Sequence, residues 1–199
     1  VEDARAYGCV PTDSDGRVTT FLEKMEKPIA NTINAGCYVF NPSVVKSIPR
    51  DRVISVERET FPGLISTHGK VWGFIDRSYW LDIGTPRALL QGSRDLVTGL
   101  ADGSALRMAD VALHNEHSLI MRSATVDASA IIDKGSCIGA GASIGAGAHI
   151  SGSIIDSGAV VGKGAVIIDS FIASASQVSE NAYISASFVT KDEILSIPA

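Results

Sequence analysis

The chain has 199 residues, of which 45% are hydrophobic and 20% are charged, so it can bury one or two ordinary cores. A net charge of −5 without a run of Lys and Arg excludes general electrostatic binding of nucleic acid or of an anionic membrane. No apolar stretch reaches the roughly 20 residues of a membrane span. Cys9, Cys37 and Cys137 lack metal-ligand spacing, which favours reduced packing residues in a cytoplasmic protein.

The first residues have the composition of strands and turns. Tyr7–Val10 and Val18–Phe21 flank Asp13-Ser14-Asp15-Gly16, a strong turn signal, so the chain is predicted to open with a hairpin. Two apolar runs of strand length follow, Ile33–Phe40 and Val71–Ile75. Strands mixed with helices indicate an α/β or α+β domain.

Two helices are predicted in this part of the chain. Ser55 precedes Glu57 and Glu59, acids that favour the first turn of a helix, and Pro62 is expected to interrupt or kink that helix. A second helix starts with Thr85 as N-cap, has Pro86 at its first position and runs to about Thr98. Its apolar face is predicted to carry Leu89, Leu96 and Val97. The Gly-, Asp- and Ser-containing segment 99–104 is the predicted linker to the rest of the chain.

From Val126 to Ile184 an aliphatic residue returns every six positions, apart from two steps of five. These residues are Val126, Ile132, Ile138, Ile144, Ile150, Ile155, Val161, Ile167, Ile172, Val178 and Ile184. The period predicts a solenoid of triangular coils, with one aliphatic side chain inside per short strand and Gly or Ala at the corners. About four coils fit between Leu119 and Ser187. Three steps complete a coil, so the predicted vertical pairs are Ile150 with Ile167, Ile155 with Ile172, Val161 with Val178 and Ile167 with Ile184.

Four short motifs occur in order before residue 100. They are Tyr7-Gly8-Cys9-Val10, Phe21-Leu22-Glu23-Lys24, Asn34-Ala35-Gly36-Cys37-Tyr38 and Tyr79-Trp80-Leu81-Asp82-Ile83-Gly84-Thr85-Pro86. Each resembles a motif of the nucleotide-sugar pyrophosphorylases, and Ser55–Pro62 resembles their mannose-1-phosphate guanylyltransferase branch. The resemblance implies an α/β fold in which residues 1–100 form the sugar-phosphate half of a Rossmann-like nucleotidyltransferase domain. Residues 101–199 would form a linker and a left-handed parallel β-helix of hexapeptide repeats.

The resemblance also implies a set of site residues. Lys24 would offset the repulsion between two approaching polyanions at the sugar phosphate. Glu23 and Asn34 would bind sugar hydroxyls, and Gly8 would let the backbone approach the sugar. Asp82 would be a ligand of Mg²⁺, an ion that takes one or two carboxylates and completes its shell with phosphate and water. The implied catalytic residues are thus Lys24 and Asp82.

The implied reaction transfers a guanylyl group from GTP to mannose 1-phosphate and yields GDP-mannose and pyrophosphate. The family's glycine-rich phosphate loop does not occur in the sequence, and the chain starts at Val1 rather than Met. We therefore expect that it begins inside a longer protein, that nucleoside triphosphate binds only through a preceding half, and that this chain alone is inactive. Because the base would be read in that half, thymidylyl, uridylyl and adenylyl transfer stay open.

Two functions of other classes also stay open. A hexapeptide acyltransferase would use a solenoid histidine as general base, and His149 is the candidate, with His114 and His117 just before the repeats. A non-catalytic assembly or regulatory subunit would keep only a degenerate sugar-phosphate pocket. Because the ends of a solenoid expose strand edges, a homo-oligomer that associates through the β-helix is expected in every case. We expect it in the cytoplasm, bound to neither nucleic acid nor membrane.

Overall fold

A computed structural model describes residues 1–22, 25–68, 71–104, 111–114 and 117–198. The chain divides into two compact units, Val1–Ser78 and Tyr79–Ala199. Among the described residues, no helix combines the length and the apolar character needed to cross a membrane. The predicted site residues Glu23 and Lys24 lie outside the described residues.

The first unit is organised around Cys9, a fully buried residue whose backbone pairs with two other segments. Cys9 forms antiparallel bridges with Leu22 on one side and with Ile33 on the other. The predicted hairpin is confirmed, since Thr12 and Val18 on either side of its turn also pair in antiparallel fashion. Its turn is held by the Asp13 carboxylate, which accepts the backbone N–H groups of the second and fourth residues that follow.

The two longer strands predicted in this unit are wrong as continuous strands. Within Ile33–Phe40 only Ile33 forms a bridge, and within Val71–Ile75 only Trp72 does. A strand requires a ladder of backbone hydrogen bonds to a neighbour, and the described residues supply none along most of either segment. One apolar residue in each segment is strongly exposed, with exposed fractions of 100% for Val39 and 93% for Phe74.

The helices of the first unit lie between these segments. Helix α1 spans Pro42–Ser47 and is capped by the Asn41 side chain, which accepts the Ser43 N–H. A π-helical turn, Val56–Thr60, is capped by Ser55 and continues into helix α2, Phe61–His68. Pro62 does not end the helical segment, which changes from π-helical to α-helical at Phe61. Pro62 lies in the first turn of α2, where its missing N–H and fixed φ are tolerated.

The second unit begins with a loop and helix α3, Pro86–Val97, whose N-cap is Thr85 as predicted. The Thr85 hydroxyl accepts the Ala88 N–H at 3.2 Å. The predicted apolar face is corrected: Leu90 and Val97 are buried with Asp95, whereas Leu96 is exposed. The buried face therefore contains a carboxylate that the apolar pattern did not reveal.

The remainder of the second unit is a parallel β-solenoid of about four turns. Its strands are β1 Val111–His114, β2 Ser118–Met121, β3 Thr125–Val126, β4 Ile131–Asp133, β5 Ser136–Ile138, β6 Ser143–Ile144, β7 His149–Ser151, β8 Ile154–Ile155, β9 Val160–Val161, β10 Val166–Ile168, β11 Phe171–Ile172, β12 Gln177–Val178, β13 Tyr183–Ser185, β14 Ser187–Val189 and β15 Ile194–Ser196. They form three sheets with the strand orders β1-β2-β5-β8-β11-β14-β15, β13-β10-β7-β4 and β12-β9-β6-β3.

The predicted vertical stacking of the aliphatic residues is confirmed. Ile167 pairs with Ile150 below it and Ile184 above it in one sheet. Ile155 pairs with Ile172 in the second sheet, and Val161 with Val178 in the third. These side chains form one continuous core cluster, in which Ile150, Ile155, Ile167 and Ile172 are fully buried. Each coil thus contributes to a shared apolar column that no single coil could bury alone.

Glycine has two different roles at the corners, as the sequence indicated. Gly141 adopts a φ of 68°, a left-handed conformation in which a side chain would be strained. Gly139 has no such angle, but a Cβ there would lie 2.8 Å from the Ser157 backbone nitrogen of the next coil. The spacing of the coils therefore depends on a missing side chain at this position.

One corner also carries a ladder of serines that the sequence analysis missed. Ser136, Ser153 and Ser170 are almost wholly buried, and each hydroxyl accepts the backbone N–H of the serine 17 residues further along. The last of these donors is Ser187. Each hydroxyl also donates to a carbonyl of its own coil, such as Ser151 O for Ser153. Buried hydroxyls are thereby satisfied in both roles.

Candidate functional site

Gly8 and Asn34, two of the residues predicted to bind the sugar, are neighbours in the first unit. The Asn34 N–H donates to the Gly8 carbonyl at 2.9 Å. This bond follows directly from the bridge between Cys9 and Ile33. The opposite side of Cys9 pairs with Leu22, the residue that precedes Glu23 and Lys24 in the chain. The backbone pairing therefore brings the predicted site residues Gly8 and Asn34 together.

The Asn34 side chain is fixed by three hydrogen bonds. Its amide nitrogen donates to the Tyr38 hydroxyl at 2.6 Å and to the Glu57 carboxylate at 2.5 Å. Its oxygen accepts the Gly36 N–H at 3.0 Å, in a turn where Gly36 adopts a φ of 76°. Because both amide hydrogens and the oxygen have partners, the orientation of the Asn34 amide is determined.

Glu57 is a member of this cluster that the sequence analysis interpreted only as a helix-favouring acid. It lies in the π-helical turn, and π-helical turns occur frequently at functional sites. The turn starts at the Ser55 cap, whose hydroxyl accepts the Arg58 N–H at 3.1 Å. A carboxylate has two oxygens with several acceptor positions, so Glu57 can bind hydroxyl groups in addition to Asn34. The signal available in the sequence was its place within the family-like segment Ser55–Pro62.

Aromatic rings support the cluster formed by Asn34, Tyr38 and Glu57. The Tyr38 ring meets the Phe61 ring edge to face, with the centroids 5.0 Å apart. Phe61 in turn stacks on Phe21 and Phe40 at 5.4 and 5.6 Å. Such offset and edge-to-face pairs contribute about 0.5–1.5 kcal/mol each beyond the area they bury. The polar cluster is therefore held on an apolar base by the residue directly after the π-helical turn.

Asp82 lies in the second unit, in the turn that precedes α3. Its carboxylate is exposed, and Oδ1 accepts the Gly84 N–H at 3.0 Å. The cap of α3 is Thr85, so Asp82 is not needed for that role. Within the described ranges, no group of three or more His, Cys, Asp and Glu side chains is placed to hold a metal ion. A single exposed carboxylate fits Mg²⁺ when phosphate oxygens and water supply the other ligands.

Asp95 and Tyr79 form a second contact that the sequence analysis missed. The Tyr79 hydroxyl donates to one oxygen of the buried Asp95 carboxylate at 2.5 Å, and the Gln91 amide donates to the other at 2.6 Å. Burial, followed by the hydrogen bond to Asp95, raises the pKa of Tyr79 to about 12. The tyrosine therefore stays protonated at physiological pH and acts as a donor.

His149, the candidate base of the acyltransferase alternative, contacts a carboxylate on the neighbouring coil. Its Nε2 lies 3.1 Å from Asp133 Oδ2. Burial raises the pKa of Asp133, but the neighbouring Ser151 hydroxyl and His149 ring lower it by more, so that the net shift is downward. His117 is exposed, and the His114 side chain lies outside the described residues. His149 thus has a structural partner within the solenoid.

The three cysteines are free thiols, as expected. Cys9 is buried and Cys137 is half-buried, which agrees with a packing role. The same interpretation is wrong for Cys37, because it lies in the turn between Asn34 and Tyr38 and is exposed there.

Comparison with known proteins covers most of the chain. A family model described as nucleotidyl transferase matches residues 1–99, and one described as GMPPB C-terminal domain matches residues 114–195. The chain is 54% identical to a mannose-1-phosphate guanylyltransferase of Mycobacterium tuberculosis over 108 residues, which are 54% of this chain and 30% of that protein. It is 38% identical to a mannose-1-phosphate guanylyltransferase catalytic subunit beta of Drosophila pseudoobscura pseudoobscura, over 46% of this chain and 24% of the relative.

A third relative, mannose-1-phosphate guanylyltransferase 1 of Arabidopsis thaliana, is 34% identical over 63% of this chain and 35% of its own length. This chain thus spans between a quarter and about a third of these curated relatives. A solved structure of a perosamine N-acetyltransferase from Caulobacter crescentus is 17% identical over 40% of this chain and 55% of that chain. Its TM-score to this chain is 0.15. The two family models and the three relatives agree, and the chain belongs to the nucleotidyl transferase family, with a C-terminal domain of the GMPPB type.

Proposed function

We propose that this chain forms the sugar-phosphate side of a mannose-1-phosphate guanylyltransferase. In the reaction, a phosphate oxygen of mannose 1-phosphate forms a bond to the α-phosphorus of GTP, and the bond from that phosphorus to the β-phosphate bridging oxygen breaks. The products are GDP-mannose and pyrophosphate. Support comes from the names of the relatives and from the hydrogen-bonded cluster of Asn34, Tyr38 and Glu57.

The cluster is the single observation that carries the proposal, because its chemistry suits a hexose. An amide, a phenol and a carboxylate offer both donors and acceptors within one hydrogen-bond length of each other. Hydroxyl groups on adjacent sugar carbons need such a mixture, since each one can donate and accept. In the proposal, Glu57 and the remaining lone pair of the Asn34 oxygen accept sugar hydroxyls, Gly8 allows a close approach of the backbone, and Glu23 adds a further acceptor.

The proposed contacts to the phosphate groups are electrostatic. Lys24 holds the sugar phosphate through its ammonium group, and Asp82 is the residue of this chain that would hold Mg²⁺. When bound, Mg²⁺ supplies neutralisation of the charge on the transferring phosphates. The attacking phosphate is already an anion, so the protein has no proton to remove from it. Catalysis by these residues therefore consists of orienting the sugar and offsetting charge.

We further propose a functional division near residue 100. Residues 1–100 belong to the catalytic domain, and residues 101–199 provide a linker and an assembly module that associates copies of the chain through the β-helix. We also propose that the protein binds a nucleoside triphosphate and Mg²⁺. It would form a homo-oligomer and act in the cytoplasm.

The proposal can be tested by calorimetric titration of the 199-residue chain with mannose 1-phosphate. We expect Asn34→Asp and Glu57→Gln to weaken binding about twofold to tenfold, since a hydrogen bond at such a half-buried site contributes about 0.5–1.5 kcal/mol. Lys24→Ala should abolish measurable binding. Lys46→Ala is the matched control, because Lys46 is an exposed lysine in the last turn of α1. Equal affinities in the wild type and in all three site variants would contradict the proposed pocket.

A second titration separates the alternatives. Acetyl-coenzyme A should not bind under this proposal, and binding that disappears in His149→Ala would favour an acyltransferase. With GTP, mannose 1-phosphate and Mg²⁺ we expect the 199-residue chain to release no pyrophosphate. If the protein that contains this sequence binds the sugar phosphate but does not turn it over, the assembly or regulatory subunit is favoured instead.

A further inference from the structure

Helix α3 makes two specific contacts within the second unit, through the adjacent residues Arg94 and Asp95. Arg94 contacts the solenoid, and Asp95 contacts the loop that carries Asp82. Neither contact was expected from the sequence, and neither is needed to terminate or cap the helix, which is capped by Thr85. The pair therefore requires another explanation.

The solenoid side of the contact is a corner shaped to receive Arg94. Its guanidinium donates to the Gly152 carbonyl at 2.8 and 3.1 Å and to the Asp169 carboxylate at 2.7 Å. A Cβ on Gly152 would lie 3.0 Å from Arg94 Nε and 2.7 Å from Asp169 Oδ1. One coil earlier, a Cβ on Gly135 would lie 3.1 Å from Arg94 Cα. Two successive corners thus lack side chains where the helix and its arginine lie.

This corner coincides with the only irregularity in the hexapeptide period. The two five-residue steps run from Ile150 to Ile155 and from Ile167 to Ile172, and they contain Gly152 and Asp169. A step shortened by one residue makes a tighter corner, whose backbone is held from inside by the buried serine ladder. The two shortened steps therefore supply the groups that bind the Arg94 guanidinium, whereas Gly135, which lies against the Arg94 backbone, belongs to a regular six-residue step.

The other side of α3 holds the Asp82 loop. Asp95 is buried, and its carboxylate accepts the Tyr79 hydroxyl at the start of the loop. Gly92 lies against the loop as well, since a Cβ there would meet the side chains of Leu81 at 3.3 Å and Ile83 at 3.4 Å. Asp82 lies between these two apolar residues and is itself exposed. The loop is thus attached to α3 on both sides of Asp82.

We propose that Tyr79 and Asp95 are positioning residues for the Asp82 carboxylate, and that Arg94 attaches their helix to the solenoid. The β-solenoid is then the fixed support of a metal-binding carboxylate, in addition to any role in assembly. The part that concerns metal rests on the proposed function, because it takes Asp82 as the Mg²⁺ ligand. The part that concerns the loop rests on the contacts of the second unit alone.

The loop can be tested by ¹⁵N relaxation of the 199-residue chain. We expect the backbone order parameters of residues 80–84 to be about 0.85 in the wild type. In Tyr79→Phe and Asp95→Asn we expect these order parameters to be lower by at least about 0.1. Tyr183→Phe is the matched control, since Tyr183 is an exposed tyrosine on β13. Arg94→Ala should lower the order of both the loop and α3, whereas Arg87→Ala, on the exposed start of the same helix, should not. Unchanged order in Tyr79→Phe and Asp95→Asn would overturn the inference.

Metal binding is measured separately, with Mn²⁺ as the probe and mannose 1-phosphate present. The free Mn²⁺ signal in electron paramagnetic resonance gives the apparent affinity. We expect Asp82→Ala to abolish binding and Tyr79→Phe to weaken it at least about threefold, while Tyr183→Phe leaves it unchanged. If Asp82→Ala has no effect on Mn²⁺, the metal role in the proposed function fails, and the relaxation data still decide the positioning of the loop. If only Tyr79→Phe has no effect, Tyr79 does not position the carboxylate for metal.

Discussion

Ser153→Ala tests whether the buried serine ladder holds the tight corner of the solenoid. The Ser153 hydroxyl accepts the Ser170 N–H at 3.0 Å and donates to the Ser151 carbonyl at 2.8 Å, and the residue is 1% exposed. Its removal leaves the Ser170 N–H buried without an acceptor. An unsatisfied buried donor costs about 1–3 kcal/mol, so we expect the free energy of unfolding to fall by that amount.

Urea unfolding followed by the far-ultraviolet circular dichroism of the β-structure measures this change. With an m-value of about 2 kcal/mol/M, the expected loss lowers the midpoint by about 0.5–1.5 M. Ser174→Ala is the matched control, because Ser174 is exposed and its hydroxyl bonds only to the Asp156 carboxylate of the coil below. The control should change stability by less than about 0.5 kcal/mol. Equal midpoints for the two variants would refute the argument that these hydroxyls satisfy the backbone of the corner.

Two further predictions concern the core and the thiols. Ile155→Ala should lower the free energy of unfolding by about 2–5 kcal/mol, because Ile155 is fully buried, whereas Ile131→Ala, at a site 57% exposed, should cost less than about 1 kcal/mol in the same urea titration. Equal losses would show that the column is not the main apolar contribution. At pH 8 we expect a disulfide reagent to label one thiol rapidly, the exposed Cys37, because Cys9 is buried and burial raises the pKa of Cys137 to about 11. A second fast thiol, or rapid labelling that persists in Cys37→Ser, would contradict this assignment.

The solenoid could be predicted from the sequence because its determinants are local and repeated. One aliphatic residue per strand marks the column, and the number of residues per coil fixes which side chains stack, so the pairing of Ile150 with Ile167 followed directly from counting. The serine ladder has an equally regular period of 17 residues. It was missed because serine is usually exposed, and its burial is possible only where each hydroxyl finds both a donor and an acceptor on neighbouring coils.

The candidate site was predicted less completely because its contacts are not local. Asn34 was identified through a family-like motif, but its bond to Glu57 spans 23 residues and depends on a π-helical turn that no simple periodicity marks. The same holds for Asp95, whose position four residues after Gln91 on a mostly apolar face indicated nothing about Tyr79. The two predicted strands failed for a related reason, since strand composition cannot supply the neighbouring backbone on which a strand depends.

The antiparallel strands at the two ends of the longest sheet have a consequence for growth of the column. β1 runs against β2, and β15 runs against β14, so both terminal strands reverse the chain direction that every other step of this sheet repeats. A coil from another molecule could continue a parallel ladder only on a strand that points the same way and occupies the same register. The reversed strands therefore act as terminators on this face, and they oppose the end-to-end polymerisation into fibrils to which an uncapped repeat of this kind is prone.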